Sequence, residues 1–118
     1  MTAEEKLYAA LTGLAGLTAL VGLRISPDAL PENESLPAIV FVRASTNPTY
    51  TIGGALVAED VHFVITAWAK SRTEAEPIGD QIRLALEADG YQIADRSSGF
   101  DNEVGLFAVS IEFYMFVS

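Results

Sequence analysis

The sequence predicts an α+β fold, a single, mostly antiparallel β-sheet of about four strands with two main helices packed on one face. Three observations carry that expectation. Near the C-terminus, Phe107, Val109, Ile111, Phe113, Met115 and Val117 alternate with other residues, the two-residue period of a strand with one face in a core. Two segments instead repeat apolar residues at helical spacing, one through Leu7, Leu11 and Leu14 and one through Ile78, Ile82, Ala85 and Leu86. Finally, 118 residues of which 50% are hydrophobic suit one domain over residues 1–118, with one core and no need of disulfide staples.

Taken in order, Thr2 and Glu5 form a capping box that starts a first helix at about Ala3. Leu7, Tyr8, Leu11, Leu14 and Ala15 give it an apolar face. Gly13 and Gly16 each cost a helix about 1 kcal/mol against alanine, so a break is expected there. A short helical turn then runs from Thr18 to Val21 and stops at Gly22. Leu7 to Leu23 carries no charge, yet it barely reaches the roughly 17–25 residues of a spanning helix and is interrupted by glycines. With Glu4 and Glu5 beside Lys6, it also lacks the basic start of an export signal, so it reads as buried helix in a cytoplasmic product.

Pro27 to Pro37 is rich in Pro, Asp, Glu, Asn and Ser and reads as a surface connection; the acceptor-like triplet Asn33-Glu34-Ser35 is taken as chance. Ala38 to Ala44 is a strand, and Ser45 to Gly54 is either a loop or a long hairpin arm. The next strand, about Ala58 to Ala69, sets Val61, Phe63, Ile65 and Ala67 on one face and His62, Val64, Thr66 and Trp68 on the other. Both faces are partly apolar, so helices should cover one and a neighbour part of the second.

Ser71 and Glu74 form another capping box, for a helix that ends at Gly90. Pro77 either kinks this helix or marks its true start, because proline has no amide to donate. Tyr91 to Ala94 is a short strand and Asp95 to Gly105 a polar loop. On the last strand, the second face carries Leu106, Ala108, Ser110, Glu112, Tyr114 and Phe116, a mixture suited to partial burial or to burial on assembly.

Sixteen acidic side chains against seven basic ones leave a net charge of −9. That balance opposes a domain-wide grip on nucleic acid, which needs clustered Lys and Arg; Arg43, Lys70, Arg72, Arg83 and Arg96 are dispersed. The absence of cysteine removes disulfides, thiol catalysis and cysteine-bound metal, and one histidine does not make a histidine-rich site. Glu59-Asp60 and Asp101-Asn102-Glu103 lack the spacing of a calcium loop. No phosphate loop or nucleophile motif occurs. His62 reads as structural, and no catalytic, cofactor-binding or metal-ligating residue is assigned.

Several stretches together resemble a family. Leu7-Tyr8-Ala9-Ala10-Leu11 is followed by Leu17 to Ile25 and Pro27, then Leu36-Pro37-Ala38-Ile39-Val40 and Thr49-Tyr50-Thr51. Val61 to Ala69 leads into an alanine-rich helix, and the chain closes on Gly105 to Phe113. This is similar to the small phage tail-completion proteins, the tail terminators or tail-to-head joining proteins of tailed phages, prophages and gene transfer agents. Pro77 departs from the family's usual helix.

The resemblance implies a non-enzymatic virion protein of the tail or neck, made in the bacterial host cytoplasm. It implies a homo-oligomeric ring, usually a hexamer, at the head-proximal end of the tail tube. Such a ring would end tube polymerisation and join tail to head. The implied partners are copies of itself, the major tail tube protein and a head-completion or connector protein. DNA would pass through the lumen without specific binding, and no cofactor or membrane is involved. Candidate interface residues for subunit or tube are Thr49, Tyr50, Thr51, Trp68, Glu112, Tyr114 and Phe116. The residues leave open a small ligand-binding or regulatory module and, further off, a small enzyme built on Asp60, His62 and a metal.

Overall fold

The computed structural model describes residues 3–22, 24–28 and 35–117. Thr2, Leu23 and the Asn33-Glu34 pair, each invoked above, lie outside the described residues. The elements run α1 (Ala3–Thr12), α2 (Ala15–Val21), β1 (Ile25–Pro27), β2 (Ala38–Tyr50), β3 (Leu56–Ala69), α3 (Arg72–Ala88), β4 (Ile93–Asp101) and β5 (Leu106–Val117). Among the described residues these strands form one five-stranded sheet in the order β1-β2-β3-β5-β4. Every pairing is antiparallel except β1 with β2. The helices share one side of the sheet, so the α+β layering expected from the sequence is present.

One contiguous core joins the two layers. Val61, Phe63, Ile65, Ala67 and Ala69 of β3 and Phe107, Val109, Ile111, Phe113 and Met115 of β5 point into it. They meet Leu7 and Leu11 of α1, Leu17 and Val21 of α2, and Ile78, Ile82, Ala85 and Leu86 of α3. Register explains the central contact: Phe63 lies opposite Phe113, and their rings stack at 5.7 Å. On α1 the buried stripe differs in detail, with Ala3 and Ala10 inside and Tyr8 partly in solvent.

Polar side chains fasten the layers at their rims. Arg96 of β4 reaches both Glu76 and Asp80 of α3 at 2.8 Å. The hydrogen bond to Asp80 is the largest influence raising the guanidinium's pKa, and burial opposes it. Gly79 permits this approach: a Cβ there would stand 2.8 Å from Arg96 Nη2 and 2.9 Å from Val109 Cγ1. At the other rim Arg43 of β2 pairs with Glu4 of α1, its guanidinium 6.0 Å from the Phe63 ring centre.

Four local expectations change. β1 adds a short parallel edge where only a lead into Pro27 was expected, with the Ile39 amide donating to the Arg24 carbonyl at 2.9 Å. The polar loop from Asp95 is strand as far as Asp101, because β4 is an edge strand whose side chains need no burial on either face. Pro77 sits inside α3, which starts at Arg72; the amide it removes would have met Thr73, an exposed residue whose carbonyl water can serve. Ser71 is the N-cap of α3 by position and backbone angles, but its hydroxyl makes no capping bond.

Candidate assembly interface

Ser45 to Gly54 belongs to a hairpin arm. β2 continues to Tyr50, paired with β3 through Thr49 opposite Ala58 and Tyr50 opposite Leu56. A register shift between Arg43 and Ser45 marks where the arm begins, the kind of bulge that bends and twists a strand pair. At the tip the Thr51 amide donates to the Ala55 carbonyl at 2.8 Å, and the Thr51 hydroxyl accepts the Ala55 amide at 3.1 Å. Gly54, at φ 91, supplies the left-handed residue of the turn.

The arm leaves the body of the molecule. The extents are 51 × 30 × 24 Å and the radius of gyration is 15.0 Å, against about 13.5 Å for a compact chain of this length. Burial ceases at Ala58. Beyond it Tyr50 and Leu56 are exposed, and Ile52 is fully so at 110% of its reference area. From Ala44 to Ala58 no residue carries a charge, in a chain of −9.

The second feature is the side of the sheet away from the helices. Trp68, Thr66, Val64 and His62 of β3 lie opposite Ala108, Ser110, Glu112 and Tyr114 of β5, and Phe116 continues the row opposite Asp60. No described helix covers this face. Some of its polar groups serve one another: His62 Nε2 lies 3.1 Å from Glu112 Oε1, and the His62 ring stacks on Tyr114 at 4.7 Å. Thr66 and Ser110 share a hydroxyl hydrogen bond of 3.3 Å. Groups paired in this way lose less when water is removed than unpaired ones would.

At one end this face deepens into a cavity of about 320 Å³. Val40 and Val42 of β2, Thr66 and Trp68 of β3, Val104 in the turn before β5 and Leu106 at its start line it, together with Asp28. The expected interface residues thus fall into two groups. Trp68, Glu112, Tyr114 and Phe116 share the open face, and Thr49, Tyr50 and Thr51 sit on the arm. Ile52, Leu56 and the cavity walls other than Trp68 were not among them. The uncharged run around Ile52 was the available signal, whereas Val104 lay in a segment that reads as polar loop.

His62 pairs with Glu112 on an open strand face, and Ser45 lies opposite it across the β2–β3 ladder. Among the described residues no group of three or more His, Cys, Asp or Glu is placed to hold a metal ion. No described helix is long and apolar enough to cross a membrane.

A family model described as tail completion protein gp17 matches residues 5–118. The chain belongs to that family. It is therefore a structural tail protein of a phage or related particle. Among solved structures, a chain of the virion of a native gene transfer agent particle superposes with a TM-score of 0.77 at 19% identity. The alignment covers 94% of this chain and 90% of that one, a likeness of fold. No curated protein matches the chain.

Proposed function

We propose that this tail-completion protein forms a homo-oligomeric ring, a hexamer in the simplest reading, at the head-proximal end of the tail tube. There it ends tube polymerisation and presents a surface to the head connector. The observation that carries this is the pair of separate apolar surfaces on one subunit, the arm tip and the open sheet face. Two different surfaces make a head-to-tail contact, and such contacts close into rings when the rotation permits. In this reading Trp68, Glu112, Tyr114 and Phe116 form the subunit surface, while Thr49, Tyr50 and Thr51 reach a neighbour or the tube. The protein acts as a part of the particle, with no chemistry of its own.

The charge suits such a part. Part of the acidic excess lines the lumen, where it repels exiting DNA and keeps it from sticking. The same charge makes copies repel one another in dilute salt, so assembly should strengthen as salt rises. Between about 0.01 and 0.15 M the screening length falls from roughly 30 to 8 Å. Native mass spectrometry and mass photometry across that range should find a discrete oligomer that grows with salt. The same preparation should leave the mobility of duplex DNA unchanged. A monomer at every concentration and salt, or retention of the DNA, contradicts the reading.

A further inference from the structure

We propose that the arm of one subunit plugs the apolar cavity on the open sheet face of the next, with Ile52 as the plug. This rests on the ring reading above and names the contact that would build it.

Consider first what the arm can touch. The ladder continues to Tyr50 opposite Leu56, so the arm is held as a ribbon and does not fold back. From Val42, on the cavity wall, to Tyr50 the strand spans about 26 Å at roughly 3.3 Å per residue. Ile52 therefore cannot fill the cavity of its own chain; another copy's arm can.

The surfaces also match in chemistry. A wholly exposed isoleucine at the end of a projection is costly to leave in water. The cavity walls of valine, leucine and tryptophan are the kind of surface that receives it. Space is sufficient, since a cavity of roughly 150 Å³ already admits benzene and this one measures about 320 Å³. Tyr50 and Leu56, both exposed beside the tip, would lie against the rim.

Charge restricts where a second copy can dock. Two subunits of −9 repel wherever their charged surfaces approach. The arm is a long uncharged stretch, and beside its five apolar walls the cavity carries one hydroxyl, Thr66, and one charged side chain, Asp28. Backbone pairing between arms is disfavoured on the arm's free edge, where Pro48 has no amide to donate. A side-chain plug is the contact that remains.

The absence of native cysteine makes the test clean. Single variants Ile52→Cys and Val42→Cys, each at an exposed site, are purified, mixed and oxidised. The plug predicts a cross-linked dimer in the mixture and none in either variant alone. In the double variant it predicts a ladder that stops at the ring's subunit number. Ile52→Asp is expected to weaken self-association at least about tenfold. Oligomers that form without the cross-link, or that survive Ile52→Asp unchanged, overturn the plug and leave the ring standing. Cross-linking of Ile52→Cys to itself makes the tips meet and also overturns it. A chain that stays monomeric and uncross-linked at every concentration overturns both readings.

Discussion

Replacing Phe113 with alanine should lower the unfolding free energy by about 3–5 kcal/mol, the usual cost of emptying a buried aromatic site. Phe113 is wholly buried at the centre of β5. Phe63 stacks on it across the strand pair at 5.7 Å, and Tyr91, in the segment after α3, packs against it at 5.4 Å. Such ring pairs add about 0.5–1.5 kcal/mol each beyond the area they bury. Against a typical total of about 5–15 kcal/mol, the loss is a large share of the stability. Urea unfolding followed by circular dichroism measures it. Phe116, on the same strand with opposite parity and 65% exposed, is the control, and its alanine variant should stay within about 0.5 kcal/mol of the parent. A loss below about 1 kcal/mol at Phe113, or equal losses at both positions, would contradict the placement of the core.

The second large effect falls on assembly. Replacing residues 47–60 with Asn-Gly joins Thr46 directly to Val61, which face each other in the ladder, by the turn that best closes a two-residue hairpin. The graft retains Val61 in the core and the Thr46 hydroxyl that accepts from Arg43 at 3.3 Å. Only Ala58, among the residues removed with described side chains, is buried. Thermal unfolding should therefore move by only a few degrees, while self-association and incorporation into tails are lost. Retained assembly would remove the arm from the interface. A collapse of thermal stability would instead mean that the arm helps hold the fold together.

Layering was readable in the sequence wherever one side of an element is buried and the other is not. β5 alternates throughout, and α3 repeats Ile78, Ile82, Ala85 and Leu86 on one stripe, so burial itself wrote the pattern. The illegible elements lack that contrast. β1 has three residues and ends in proline, too short for any period to appear. Along β4 the side chains are exposed or half-buried on both faces, and its inward Arg96 is acceptable only because Glu76 and Asp80 wait on α3. Proline 77 left two readings of α3 open, and packing of Ala75, Ile78 and Gly79 on the core chose the uninterrupted helix.

The proposed interface was legible by half. Tyr114 and Phe116 declared themselves as aromatics on the wrong parity for the core. Ile52 did not, because the exposure that suggests its proposed role depends on where a hairpin points. The cavity draws its walls from β2, β3 and the start of β5, so only their assembly in space brings them together.

The central claim is that this chain caps a tail tube as a ring. Electron microscopy of the major tail tube protein, polymerised with and without this chain, tests it most directly. The account predicts tubes that stop growing and carry one additional ring at a single end. Tubes that lengthen as before, bare at both ends, would contradict it.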